Sequence, residues 1–317
     1  MAHIGILHGN KESFPQAVME GLNRLAKGSC RFLCVDALHQ QQPDDWGWDT
    51  PVIVDLFSGQ MPFLKEALHL LAQDPARTIF NCPKLGRLHN RATVRMVAKS
   101  VGLKTPLAVL LPARSTPSQF PEQGYVNLRF PLAWEEIFKA AGAYPHLQAL
   151  DFDRQSGVTV EDLGALWRRY NETETVLQEL VGAPASDELY RVFAIGDTRF
   201  VRPLEPLTRQ LLPADADSEA KSTALVAAVD AVIARVPWSV SSFDLGWHKG
   251  QVEYLDANPD PYLEWWVLGE QDFSQAVDGA VDLLKGHLPA SPPKQPLSGA
   301  APRPTAPTKS RKKKGNG

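Results

Sequence analysis

Short apolar runs alternate with amphipathic segments in the N-terminal part of the chain, and this alternation limits the folds open to it. The apolar runs are strand-like and read HIGILH, CRFLCVDAL, PVIVDLF and RTIFNCP. Two intervening segments, KESFPQAVMEGLNRLAKG and PFLKEALHLLAQD, carry apolar residues at helical spacing. Strands separated by helices predict βαβ units and a parallel, doubly wound sheet.

Two common phosphate-binding motifs are missing from the sequence. No GxGxxG follows the first strand, and no GxxxxGK[ST] occurs anywhere in the chain. These motifs supply the glycines and backbone amides that cradle phosphates in Rossmann and P-loop proteins. The sequence therefore excludes a P-loop and gives no support to a Rossmann dinucleotide site.

Length and composition indicate a globular protein of several units. A chain of 317 residues is too long for one ordinary core, and its 44% hydrophobic and 22% charged residues are typical of soluble proteins. No run has the length of about eighteen apolar residues that a membrane helix needs, and MAHIGILHGNKES lacks a signal-peptide core. The three cysteines form no CxxC pair. We therefore expect a cytoplasmic protein without a disulfide framework or a zinc site.

The charge is distributed unevenly along the chain. The net charge of −3 includes seven basic residues and no acidic residue from Leu288 onward, which leaves the preceding part near −10. An acidic body argues against a broad nucleic-acid-binding face, although the terminal RKKK could contact an acidic lipid, nucleic acid or protein. Because this Pro-, Ala- and Lys-rich tail has few large apolar residues to bury, residues 289–317 are predicted to be disordered.

Beyond the first units the elements become shorter and less regular. NRATVRMVAKSVGLKTP predicts a helix that Gly102 ends, and LAVLLP predicts the next strand. A small α+β unit is predicted from YVNLRF, LAWEEIFKAAG, HLQALDF, VEDLGALWRRYN and TVLQELV. In the C-terminal part, the sequence predicts the strands LYRVFAIGD and TRFVRPL, a helix, the hairpin SSFDLGWHKGQVEYLDANP and a closing helix, SQAVDGAVDLLKGHL.

The predicted hairpin carries the residues that say most about chemistry. Because side chains alternate along a strand, Asp256 and Asn258 point the same way. An odd-numbered loop, or a bulge at Gly250, would place Asp244 opposite Asp256 on that face, whereas a two-residue loop would break this register. Two carboxylates and an amide oxygen are hard ligands suited to Mg²⁺, which also recruits substrate phosphates. The alternative is that DANPDP is only a segment rich in turn-forming residues.

Asp244 and the triplet Asp256-Ala257-Asn258 resemble the end of the nucleotide site in the ATP-grasp superfamily. That family places an acidic residue on one strand and an (E/D)xN motif on the next. Other segments resemble family motifs in the family's order. They are IFNCPKLGRLHNRATVRMVAKSVGLKTP with Arg91, YVNLR with Arg129, VLQELV, and LYRVFAIGD with Arg191.

This resemblance implies the fold class and the domains. The expected fold is α/β, with a doubly wound pre-ATP-grasp domain followed by two α+β subdomains that sandwich the nucleotide. The implied boundaries are 1–88 for the first domain, 89–181 for the central subdomain or lid, 182–288 for the C-terminal subdomain, and 289–317 for the tail.

The resemblance also implies ATP and Mg²⁺ or Mn²⁺ as cofactors, and it assigns roles to residues. Asp244, Asp256 and Asn258 are predicted to hold the metal. Arg191 is predicted to be the catalytic residue that faces the transferring γ-phosphate. The remaining nucleotide contacts are predicted to be Arg91 and Arg129 for the α/β-phosphates, and Gln178, Glu179, Leu180 and Val181 for the adenine.

Structural explanations exist for several of these residues. Arg91 could be a solvated residue at a helix start, Arg129 could lie along a sheet, and Gln178-Glu179 and Arg191 could be exposed strand residues. The sequence also departs from the family, which usually has Lys at positions 91 and 129. The glycine-rich lid is reduced to the segment AAGA at 140–143, with a single glycine. Tyr262, Trp265 and Trp266 are interpreted as core or interface anchors, with a substrate contact as the alternative.

The function implied by the resemblance is an ATP-dependent carboxylate–amine ligase that works through an acyl phosphate. Its partners would be ATP and an unidentified acid and amine, small molecule or peptide, and a homodimer is possible. A phosphotransferase on the same fold is one alternative. A nucleotide-binding scaffold without turnover is another, because the Arg-for-Lys changes and the thin lid favour it.

Overall fold

The computed structural model describes most of the chain. The described residues are 3–9, 13–33, 49–56, 62–81, 90–111, 133–150, 157–172, 178–186, 188–206, 208–236 and 238–289. The predicted strand YVNLRF and nearly all of the C-terminal tail lie outside these ranges.

The first part of the chain forms a parallel four-stranded sheet. Its strands, in the order β2-β1-β3-β4, are β1 (Ile4–Leu7), β2 (Cys30–Phe32), β3 (Val52–Asp55) and β4 (Thr78–Phe80). Helices α1 (Ser13–Leu25) and α2 (Pro62–Leu71) accompany the sheet. Strands β1 and β3 are buried at every position, as expected of parallel strands covered on both faces. The predicted doubly wound parallel sheet is therefore confirmed.

The middle of the chain forms a second, antiparallel sheet. Its order is β5-β8-β6-β7, built from β5 (Ala108–Leu111), β6 (His146–Ala149), β7 (Val158–Thr159) and β8 (Gln178–Val181). The helices of this part are α3 (Arg91–Ser100), α4 (Trp134–Ala141) and α5 (Leu163–Glu172). The short strand β7 was not predicted, because its two residues are exposed and show no alternation.

The C-terminal part forms a third, antiparallel sheet of longer strands. Its order is β10-β9-β11-β12, built from β9 (Glu188–Ile195), β10 (Thr198–Leu204), β11 (Val240–His248) and β12 (Gln251–Asn258). The helices are α6 (Ala216–Ile233), α7 (Trp265–Leu268) and α8 (Glu270–Lys285). One face of the sheet packs on α6 and α3, and residues such as Phe193 on the other face pack with α8 and α1. Helix α7 was not predicted, since a single turn leaves no periodic signal.

Asn81 joins the first sheet to the third. It follows β4 with a positive φ of 56°, a conformation that Asn tolerates better than most residues. Its Oδ1 accepts hydrogen bonds from the backbone amides of Ser239 and Val240, at 2.8 and 3.0 Å. Its Nδ2 donates to the carbonyls of Val240 and Pro259, at 2.9 and 3.0 Å. One buried side chain therefore fixes both strands of the C-terminal hairpin against the N-terminal sheet.

The three sheets fall within the three segments predicted as domains, 1–88, 89–181 and 182–288. The boundaries themselves stay predictions, because α3 packs on the third sheet while its chain continues into the second. None of the helices in the described part of the chain is both long and apolar enough to cross a membrane.

Candidate nucleotide and metal site

A β-bulge sets the register of the hairpin that carries the predicted ligands. The strands are joined by the two-residue turn Lys249-Gly250, whose φ angles are 51° and 78°. That turn alone would pair Asp244 with Leu255. Instead the register shifts between Asp244 and Leu245, so that Asp244 pairs with Asp256. The predicted pairing is thus present, but the predicted cause at Gly250 was wrong, because the extra residue is Leu255.

Arg191 lies beside Asp244 on the neighbouring strand and holds it with two hydrogen bonds. The two residues are paired in the β9–β11 register. Arg191 Nε donates to Oδ1 at 2.7 Å, and its Nη2 donates to Oδ2 at 3.0 Å. Burial alone would lower the pKa of Arg191, but the charge and hydrogen bonds of Asp244 raise it. A third group, Arg209 Nη1, lies 3.8 Å from Asp244 Oδ2.

Asp256 faces Arg91 at the start of α3. Arg91 Nε lies 3.2 Å from Oδ1 and 3.3 Å from Oδ2, with hydrogen-bond geometry only to Oδ2. Arg91 also donates from Nη1 to the carbonyl of Ala149 and from its backbone amide to the carbonyl of Leu150. Burial raises the pKa of Asp256, and the charge of Asp244 raises it further, while Arg91 lowers it. Arg91 is buried, so it is not the solvated helix-start residue of the alternative interpretation.

Asn258 lies two residues further along β12. Its Oδ1 accepts a hydrogen bond of 2.9 Å from the backbone amide of Asp260. This bond is the Asx turn expected of DANPDP as a turn-forming segment. An amide oxygen has two lone pairs, so this contact leaves one for another donor or a cation.

The chemistry of these residues fits a hard divalent cation. Among the described residues no group of three or more His, Cys, Asp or Glu side chains is arranged to hold a metal ion. A cation here would therefore depend on two carboxylates and the amide of Asn258. The buried Asp256 Oδ1 accepts no hydrogen bond from the described residues, although Arg91 Nε is near it. A buried carboxylate oxygen without a donor is a place where Mg²⁺ or Mn²⁺ would satisfy the valence.

Glu179 has a structural role that the sequence did not reveal. Its side chain is fully buried on β8, the second strand of its sheet. Its Oε2 accepts a hydrogen bond of 2.5 Å from Arg95, and its Oε1 accepts one of 2.7 Å from Gln148. Gln178 to Val181 pair with β5 on one side and β6 on the other. The contacts of these four residues with adenine stay a prediction. They would require backbone donors and acceptors, and the backbone of β8 already pairs with a strand on each side.

His146 and Arg209 were not predicted as site residues. His146 belongs to the second sheet, and Arg209 follows a strand of the third. Burial, together with the positive charges of Arg209 and Arg91, lowers the pKa of His146 to about 4. His146 opens β6, while Arg209 follows β10, with φ 58° in a turn closed by Glu205 and Gln210. No periodic pattern marks Arg209 in PLTRQLLP, so only the fold brings it to Asp244.

The remaining predicted features are placed as follows. Arg129 lies outside the described residues. The lid candidate at 140–143 corresponds to the last turn of α4, where Gly142 has φ 82° and its amide donates to Lys139. The C-terminal end of a helix is its negative end, so this segment is a helix stop and a poor phosphate cradle. Tyr262, Trp265 and Trp266 are each more than half exposed, so they are not core residues.

Comparison with solved structures shows the fold of the chain. A RimK-domain ATP-grasp protein from Sphaerobacter thermophilus superposes with a TM-score of 0.62 at 12% identity, covering 89% of this chain and 99% of that one. D-alanine–D-alanine ligase from Bacillus anthracis, solved with ATP, gives 0.58 at 13% identity and covers 90% and 98%. N5-carboxyaminoimidazole ribonucleotide synthetase from Thermus thermophilus gives 0.64 at 14% identity and covers 91% and 79%.

The chain therefore has the ATP-grasp fold, as the sequence predicted. Neither a protein-family model nor a curated protein matches it. At this level of identity the similarity establishes the fold and leaves the activity to the residues of the site.

Proposed function

We propose that the chain is an ATP-dependent ligase of the carboxylate–amine type, with its nucleotide site between the second and third sheets. The observation that carries this proposal is the pairing of Asp244 with Asp256, with three arginines within 4 Å of their oxygens. Carboxylates for a divalent cation and guanidinium groups for phosphates are the two components that an ATP site needs. The ligases of similar fold that were solved with ATP or ADP support the choice of nucleotide.

Each residue keeps its predicted role in this proposal. Asp244, Asp256 and Asn258 would hold Mg²⁺ or Mn²⁺, which when bound neutralises charge on the phosphates. Arg191, as the catalytic residue, would contact the γ-phosphate. Arg91 would contact the α/β-phosphates together with Arg129. Gln178 to Val181 would border the adenine.

The proposed reaction has two steps. An oxygen of the substrate carboxylate attacks the γ-phosphorus, the bond to the β-phosphate oxygen breaks, and an acyl phosphate and ADP form. An amine then attacks the acyl carbon, and inorganic phosphate leaves. Arg191 and Arg91 lower the barrier of the first step by neutralising charge on the phosphoryl oxygens, and the fixed strands orient the reactants. No side chain is required as a strong base, because the departing phosphate can accept the proton that the amine loses.

The test is ATP turnover with a panel of amino acids, dicarboxylic acids and short peptides, measured as ADP and phosphate release. Hydroxylamine replaces the amine in a second series, because it traps an acyl phosphate as a hydroxamate. The ligase proposal predicts hydroxamate only with ATP, metal and the correct acid, and none with Asp256→Asn. ADP release that yields a stable phosphorylated acceptor, without hydroxamate, would contradict the ligase and identify a phosphotransferase.

One observation favours a nucleotide-binding scaffold as a second candidate. Both carboxylates of the metal site are engaged by arginines, and Glu179 is engaged by Arg95 and Gln148. A protein that has lost turnover would retain such internal pairs. Calorimetry that detects binding of an ATP analogue, together with no ADP release across the whole panel, would support the scaffold over the enzyme.

A further inference from the structure

The proposed metal site contains more positively charged than negatively charged side chains. Two carboxylates, Asp244 and Asp256, lie within 4 Å of three guanidinium groups, those of Arg91, Arg191 and Arg209. With all five groups ionised, the cluster carries a net charge of +1. Such a cluster repels a free cation and attracts a polyphosphate.

We infer that Arg191 makes metal binding depend on nucleotide binding, by occupying both oxygens of Asp244 until a phosphate group takes its guanidinium. This inference rests on the proposed function. It adds that Asp244 becomes available to the metal only after the nucleotide has bound. Arg191 is thus a positioning residue for the metal as well as a phosphate contact.

The paired hydrogen bonds from Arg191 to Asp244 explain why the site would not bind a cation in the absence of a nucleotide. Nε and Nη2 of Arg191 use both oxygens of Asp244, at 2.7 and 3.0 Å. A metal ion that displaced the guanidinium would leave a charge without a partner in a site where Asp244 is only 13% exposed. A phosphate removes that cost, because guanidinium binds phosphate with the same paired hydrogen bonds that it makes to carboxylate.

Arg191 suits this role better than Arg91. The side chain of Arg91 is 8% exposed, and its Nη1 is tied to the carbonyl of Ala149. The side chain of Arg191 is 28% exposed, and both of its side-chain hydrogen bonds described above go to Asp244. Arg209, at 3.8 Å from the same carboxylate, can take the place of Arg191, so a test must remove both arginines.

The experiment measures each ligand without the other. Binding of Mn²⁺ alone is followed by electron paramagnetic resonance, and binding of AMP-PNP in EDTA is followed by calorimetry. We expect wild-type protein to bind AMP-PNP in EDTA and to bind Mn²⁺ alone only weakly. In Arg191→Ala/Arg209→Ala, Mn²⁺ alone should bind at least about tenfold tighter and AMP-PNP in EDTA at least about tenfold weaker, the effect of about one charge-assisted hydrogen bond.

Two further variants make the result specific. Arg199→Ala removes another arginine–aspartate ion pair, the one between Arg199 on β10 and the more exposed Asp230 on α6, and should behave as wild type in both assays. Adding Asp244→Asn to the double variant should abolish the gain in Mn²⁺ affinity. If the double variant fails to fold, Arg191→Lys/Arg209→Lys, in which an ammonium group cannot make the paired hydrogen bonds of a guanidinium group, should show the same changes to a smaller extent.

The outcomes separate this inference from the proposed function. Mn²⁺ that binds wild type and the arginine variants equally would overturn the inference, as would a gain that survives Asp244→Asn. AMP-PNP that fails to bind wild type both with and without Mn²⁺ would contradict the proposed function itself. Nucleotide binding with an unchanged Mn²⁺ affinity would leave the function standing and reject only the role of Arg191.

Discussion

Asp244 on β11 lies opposite Asp256 on β12, although the two-residue turn between these strands would pair Asp244 with Leu255. The bulge at Leu255 makes this pairing possible, and Leu255 packs with Leu189 and Leu204. Bulges often redirect side chains near functional sites. The register of the hairpin is therefore part of the candidate site, and its turn and anchors can be tested separately from its chemistry.

The turn is tested by Gly250→Ala. Gly250 has a φ of +78° with nothing near the position of a Cβ atom, so the cost comes from the backbone conformation alone. We expect a loss of about 1 kcal/mol in the free energy of unfolding, measured in urea. Gly286 is equally open but has a φ of −65°, so Gly286→Ala is the matched control and should cost little. Equal effects at the two positions would contradict the assigned turn.

The anchor of the hairpin is tested at Asn81. Asn81→Ala removes four hydrogen bonds and leaves buried backbone groups of Ser239, Val240 and Pro259 without partners. We expect a loss of at least about 2 kcal/mol by urea unfolding. Asn81→Asp should be worse, because its carboxylate would face two carbonyl oxygens. An Asp variant more stable than the Ala variant would show that Asn81 does not donate to these carbonyls.

The buried pair of Arg95 and Glu179 is tested by single and double substitution. Glu179→Ala leaves Arg95 buried with no counter-charge on Nη1, and its Nε and Nη2 already lack a hydrogen bond among the described residues. We expect a loss of about 3–5 kcal/mol, and a smaller loss when Arg95→Leu is combined with Glu179→Leu. A double variant that loses as much free energy of unfolding as Glu179→Ala, or more, would indicate that the two residues do not interact.

The pH dependence of stability is tested at His146. Its pKa falls to about 4 in the folded protein, whereas the ordinary value is 6.5. The unfolded chain therefore binds the proton more readily, and stability present above pH 6.5 is lost as the pH falls towards 4. This contribution is on the order of 3 kcal/mol. His146→Gln should flatten the urea-unfolding profile between pH 7 and 5, and a profile as steep as that of wild type would contradict the shift.

Much of the fold followed from local sequence, whereas the details of the site did not. The alternation of strands and helices predicted the parallel sheet, because each run reflects burial over a few neighbouring residues. The bulge at Leu255 and the partners of Glu179 depend on residues far apart in the chain, such as Leu189 and Arg95. Arg209 entered the site only through tertiary structure. The spacing of Asp244 and Asp256 was informative because both lie in one local hairpin.

The most direct test of the account compares the affinity for AMP-PNP in Mg²⁺ and in EDTA by calorimetry. Asp244→Asn/Asp256→Asn leaves Arg191 and Arg91 without their counter-charges, so its fold is checked by circular dichroism before binding is measured. We predict that Mg²⁺ tightens binding to wild type by at least about tenfold and does not tighten binding to the double variant. Equal affinities of wild type in Mg²⁺ and EDTA, or an undiminished effect of Mg²⁺ in the folded double variant, would contradict the proposed site.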